Sequence, residues 1–187
     1  MRRVTYSMST SLDGYIAGPD GTFGWGVPDA EVFQLSLDEI AGVGTHLLGR
    51  RLYETMAYWE TAEQEETLDA AELEWAGLWQ RLPKVVFSRT LSEVRGSHTR
   101  LATGTLAEEI ARLRAEPTEG DIAIGGATLA AEAATLDLID EYLIRVYPVL
   151  VGGGTPFFAQ QGRQVGLELV ENRTIGSVLY HRYRVTR

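Results

Sequence analysis

Apolar and polar residues alternate from Arg3 to Ser9, which predicts a first β-strand. Asp13-Gly14 signals a turn, and Tyr15-Ile16-Ala17 a short strand after it. Over residues 29–43 the apolar positions Val32, Phe33, Leu35, Leu37, Ile40 and Ala41 keep helical spacing, and Asp29 stands where a helix cap belongs. Residues 45–49 read as a short buried strand and 50–59 as a helix. A second amphipathic helix is predicted over 68–82, stopped by Pro83, followed by a strand at 84–88. Thr105 and Glu108 form a capping box for a helix over 105–116. Residues 121–125 then predict a strand, 127–137 a helix, and 141–151 a long strand interrupted or bent near Pro148. Residues 166–171 and 177–185 alternate and close the chain as an antiparallel pair.

Strands and helices thus alternate until an all-strand end. That order predicts an α/β fold with a largely parallel central sheet and an antiparallel C-terminal edge. With 187 residues and no linker-like tract, one domain over 1–187 is expected. The absence of cysteine excludes disulfides and thiolate chemistry and suits a reducing cytoplasm. No stretch reaches the ~20 apolar residues of a membrane span. Net charge is −9, and residues 52–80 hold no Lys or Arg while Glu60, Glu63, Glu65, Glu66, Asp69, Glu72 and Glu74 crowd together. A nucleic-acid binder would carry a basic stripe instead, so the acidic run reads as a solvated helix face. His46, His98 and His181 fall in different elements, and no metal site is expected.

Candidate chemistry sits where predicted strands give way to helices. Gly125-Gly126 removes two side chains at such a junction, ahead of Ala127 and Thr128. Either a phosphate approaches the helix start there, or the turn is tight and the helix packs closely on the sheet. Gly49-Arg50-Arg51 makes a similar junction. Two cations at a helix start oppose the helix dipole unless an anion is brought to them, or they are simply solvated. Ser88-Arg89 follows another strand and suits a phosphate monoester, or merely begins a loop. Three anion-binding junctions would match the pyrophosphate and 2′-phosphate of NADPH. A chain at −9 must bind such a ligand by local geometry, because its long-range field repels it.

Five blocks in order carry a family resemblance: "SLDGYIAG" from Ser11, "LLGRRLYE" from Leu47, "VVFSRTL" from Val85, "IGGATL" from Ile124 and "LIDEYLIRVYPVLVGGGTPFF" from Leu138. They resemble the dihydrofolate-reductase-like superfamily, and within it the reductase domain of the riboflavin-biosynthesis deaminase-reductase. The resemblance implies a mostly parallel eight-stranded sheet with helices on both faces, NADPH as cofactor, and a homodimer. It assigns Gly49 and Arg50 to a phosphate-binding helix start, beside which Arg51 is a further cofactor-binding candidate. Ser88 and Arg89 fall to the 2′-phosphate loop, and Gly125, Gly126, Ala127 and Thr128 to the pyrophosphate loop. Ile16 and Ala17 fall against the nicotinamide, and Asp13 near the substrate.

The implied activity is reduction of a small heteroaromatic substrate, pyrimidine or pterin in type, with Asp13 as proton donor or relay. The alternative is a non-catalytic or regulatory NADPH-binding module. Tyr15 is a candidate to stack on the substrate ring, and Glu31, with Asp29, a candidate substrate acid. Asp13 also reads as a plain turn residue and Tyr15 as an ordinary strand aromatic. The chain departs from the family at Leu52, where a Thr is usual, and at Ile124, where the riboflavin reductases carry Glu.

Overall fold

The computed structural model describes residues 1–65, 67–158 and 162–187. Glu66, part of the acidic run, lies outside the described residues. The strands are β1 (Val4–Ser11), β2 (Tyr15–Ala17), β3 (Val43–Gly49), β4 (Lys84–Phe87), β5 (Thr99–Leu101), β6 (Asp121–Gly125), β7 (Glu141–Tyr147), β8 (Thr155–Pro156), β9 (Gly166–Ile175) and β10 (Val178–Thr186). The helices are α1 (Ala30–Ala41), α2 (Arg50–Met56), α3 (Ala62–Glu65), α4 (Ala70–Arg81), α5 (Leu106–Ala115) and α6 (Ala127–Thr135).

Eight strands form one sheet in the order β5-β4-β3-β6-β1-β7-β10-β9, and β2 and β8 form a small separate ribbon. From β5 to β7 every neighbouring pair is parallel. β10 runs antiparallel to both β7 and β9. The expected class of sheet is therefore the observed one. β5 was not anticipated, because its three residues are polar or half-buried. β7 stops at Tyr147, so Pro148 ends the strand instead of bending a longer one.

Strand alternation splits the core in two. Val4, Tyr6, Leu47, Val85, Ile122 and Ile124 point to α5 and α6, meeting Leu106, Ile110, Leu129 and Ala133. Leu48 and Val86 point to the other face, where Ile40 of α1, Tyr53 of α2 and Trp79 of α4 cover them. Farther along that face, Val32 and Leu35 of α1 pack on Leu143, Tyr147, Val178 and Tyr180.

The acidic run is more structural than a solvated face. Asp69 and Glu72 form the capping box of α4. Glu60 is nearly buried and lies 3.1 Å from the buried Lys84 ammonium. Among the described residues no helix is long and apolar enough to cross a membrane.

Glu109 of α5 is fully buried and ties the helix to the loop after β5. It accepts from Arg100 at 2.6 Å and from the Thr103 backbone N–H at 2.9 Å. The Arg100 hydrogen bond leads the effects that hold its carboxyl near 2 instead of 4.5. A carboxyl depressed in the folded state stabilises above its unfolded pKa and loses that contribution as pH falls. Glu109→Gln should therefore lower stability at neutral pH. The gap from wild type should close as pH falls from 4.5 to about 2 in urea unfolding curves.

Candidate functional site

Parallel strands end on one edge, so the loops that follow β4, β3, β6 and β1 line up side by side in that order. This carboxyl edge collects every candidate site residue named from the sequence. Glu31 joins them because α1, leaving β1 and the ribbon, begins at the same edge and carries it, exposed, in its first turn.

Two helix starts meet there. Gly49 precedes α2 and Gly126 precedes α6, and a Cβ placed on Gly126 would lie 3.9 Å from the Gly49 backbone. Neither helix has a side-chain cap. By contrast α1, α4 and α5 are each capped by a side chain, from Asp29, Asp69 and Thr105. The first turns of α2 and α6 thus leave backbone N–H donors without the side-chain oxygen that caps the other three helices.

The two glycines do different jobs. Gly126 has φ +99, a conformation that a residue with a Cβ rarely adopts, and a Cβ there would meet Gly49 and Leu52 at 3.9 Å. A Cβ on Gly125 would stand 2.6 Å from Leu52, 2.9 Å from His46 and 2.9 Å from Leu48. Gly125 therefore serves close packing, the second of its two sequence readings, while Gly126 shapes the exposed turn. Leu52, which departs from the family's Thr, is the side chain filling the space that Gly125 leaves. Ile124, the other departure, is buried core. Burial, with Lys84 nearby, pushes His46 down to about 4, so it stays neutral beneath the turn. Ala127 and Thr128 follow in the first turn of α6, with Thr128 exposed.

The arginines are placed to act together. Arg50 reaches the Thr90 hydroxyl at 3.4 Å, which joins the start of α2 to the loop after β4. It also lies 4.0 Å from Glu54, an exposed contact of little strength. The Ser88 hydroxyl accepts from the backbone N–H groups of Thr90 and Leu91 at 3.1 and 3.0 Å, which fixes that loop. Arg51 and Arg89 are exposed, and their guanidinium groups have no partner among the described residues.

Asp13 is occupied. Its carboxylate accepts from the backbone N–H of Gly152 at 2.8 Å and of Val151 at 3.2 Å. The Ser11 hydroxyl, and then these amides, hold it below the usual carboxylate range. These contacts make Asp13 a fastener of the glycine loop. Tyr15, Ile16 and Ala17 form β2, half-buried, with Tyr15 paired to Pro156 and Ala17 to Thr155 of β8. Phe157 follows and stacks on Tyr6 at 4.4 Å, which anchors the ribbon in the core. Phe158, the next residue, remains about half exposed.

The sheet order and this edge define a dihydrofolate-reductase-like α/β protein. More narrowly, the chain belongs to the RibD C-terminal domain family, whose pattern matches residues 2–180. It is 28% identical over 184 residues to the uncharacterized protein YyaP of Bacillus subtilis, covering 96% of this chain and 95% of that protein. A putative riboflavin biosynthesis protein from Shewanella sp. PV-4 has the same fold, with a TM-score of 0.76, 24% identity and 99% of each chain covered. Dihydrofolate reductase from Enterococcus faecalis, solved with NADP(H), matches at TM-score 0.59 and 14% identity, over 99% of this chain and 97% of that one.

Proposed function

We propose that the protein is an NADPH-dependent reductase of a small heteroaromatic substrate, pyrimidine or pterin in type. The observation that carries this reading is the pair of helix starts without side-chain caps on neighbouring strands β3 and β6, beside Arg51 and Arg89, whose guanidinium groups have no partner among the described residues. A negatively charged group suits both features at once, since uncapped N–H groups and free guanidinium groups donate hydrogen bonds to anions.

The residues present fit the cofactor. The starts of α2 and α6 would take the pyrophosphate, with Gly126 allowing the positive-φ turn into α6. Arg89 and Arg50, with the Ser88 loop, would take the 2′-phosphate. Ile16 and Ala17 would lie against the nicotinamide. The β4 loop stands three strand spacings from β1, roughly 14 Å at ~4.8 Å each, a reach that an extended dinucleotide spans. Bound NADPH supplies the hydride. The chain supplies orientation and shelter from water. The structure of the E. faecalis reductase with NADP(H) supports the same choice of cofactor.

The occupied Asp13 favours a second reading, a module that binds NADPH without reducing anything, since the expected acid is bound to the loop. The two readings separate on loss of NADPH absorbance with pyrimidine and pterin substrates. A steady decrease supports the reductase. Binding without any decrease supports the module.

A further inference from the structure

Charge divides the carboxyl edge into two halves. Arg50, Arg51 and Arg89 follow β3 and β4. Beyond β6 the pattern reverses, since residues 4–49 and 146–162 contain neither Lys nor Arg. Those stretches supply the loops that follow β1 and β7, neighbouring parallel strands that end together at Ser11 and Tyr147. Contacts between the loops make them one body. The Leu12 N–H donates to the Val149 carbonyl at 2.8 Å, and the Phe157 N–H to the Gly14 carbonyl at 2.9 Å. The Trp25 ring meets Tyr147 edge-on at 6.0 Å.

The charges this half does carry are acidic: Asp13, Asp20, Asp29 and Glu31. Three of them are fixed by backbone N–H groups. Asp13 accepts from Gly152 at 2.8 Å, Asp20 from Thr22 at 3.0 Å and Asp29 from Val32 at 2.9 Å. Arg145, the cation of β7, is 12% exposed and lies 2.7 Å from Glu39 of α1, so its charge is already balanced. The same loops hold Leu12, Phe23, Val27 and Leu150, each more than half exposed. Exposed apolar side chains beside a site suit the face of a planar ring. A phosphate dianion brought there loses water and approaches carboxylates with no free cation to offset them.

Resting on the reductase reading above, we propose that the substrate is an uncharged ring compound that carries no phosphate ester. With the cofactor's phosphates at the β3–β4 half and its nicotinamide against Ile16 and Ala17, the substrate ring falls to the β1–β7 half. That half is acidic and apolar, and it selects by charge against any phosphorylated form of the same ring. Every phosphate of the complex then belongs to the cofactor, and the arginines of the edge all serve it.

The test uses the full chain saturated with NADP⁺, titrated calorimetrically with 5-amino-6-ribitylaminouracil and with its 5′-phosphate, which differ only in the ester. In ~0.1 M salt, wild type should bind the first at least about fivefold more tightly. In ~1 M salt, where the screening length falls from about 10 Å to about 3 Å, that ratio should approach one. Asp20→Asn combined with Glu31→Gln removes two charges, and Asn keeps the oxygen that accepts from Thr22. This variant should lower the ratio in ~0.1 M salt about twofold. The ratio compares two ligands on one protein, so any loss of folded variant cancels from it. Equal or tighter binding of the phosphate ester overturns the proposal. So does a ratio that salt and the double variant leave unchanged, which would make the preference one of shape. Wild type that binds NADP⁺ but neither uracil refutes the substrate class alone. Wild type that does not bind NADP⁺ removes the reductase reading with it.

Discussion

Arg89→Ala is expected to weaken NADPH by roughly 10- to 100-fold while changing NADH by less than about twofold, since a charge-assisted hydrogen bond contributes ~1.5–3 kcal/mol. The two cofactors differ only in the 2′-phosphate, so the ratio of the two losses reads one contact. Arg89 is exposed and its guanidinium has no partner among the described residues, so its removal breaks no contact seen in the fold. Arg50 should show a smaller version of the same selectivity, because it already reaches Thr90 and lies near Glu54. The measurement is a fluorescence titration of each cofactor against wild type and variant. Equal weakening of NADPH and NADH would remove the 2′-phosphate from this loop.

Gly154→Ala should carry the largest stability loss of any glycine substitution in the loop after β7. Gly154 has φ +116, and a Cβ there would stand 2.1 Å from the Ala17 carbonyl oxygen and 2.5 Å from the Gly18 carbonyl carbon. Both are backbone atoms, so no rotamer change relieves the contact. Backbone strain and overpacking together should cost roughly 3 kcal/mol or more, which for a chain of this size lowers the midpoint by about 10 °C. The β2–β8 ribbon must move to make room, and Ile16 and Ala17 move with it, so NADPH affinity should fall as well. Gly152→Ala is the control. Its φ is +74, but nothing lies within 4 Å of the added carbon, so the loss should be only about 1 kcal/mol. Similar losses in the two variants would show that the ribbon is not pinned by that close approach.

The fold was legible where local chemistry decides structure. Asp29 caps α1, Thr105 and Glu108 cap α5, and the apolar runs became the central strands. What escaped depends on partners distant in the chain. Gly125 invited a phosphate reading, yet its reason is Leu52, His46 and Leu48, more than seventy positions away. Asp13 looked free in a turn and is held by the amides of Val151 and Gly152. Glu60 belonged to an acidic run on paper and pairs with a buried lysine in space.

The cofactor half of the site was readable because it consists of strand ends, glycines and arginines, which local sequence displays. Contacts between distant elements were not, because Glu39 and Arg145 come from α1 and β7 and meet only in space. One signal was present nonetheless. A charge within β7, at Arg145, and an acid among the apolar positions of α1, at Glu39, foretell a largely buried pair.

The most direct measurement is calorimetry of the full chain with NADPH and with NADH. If neighbouring strand ends cradle a doubly phosphorylated dinucleotide, NADPH should bind with a Kd on the order of micromolar, and NADH at least about tenfold more weakly. No heat with either, or equal affinity for both, would contradict it.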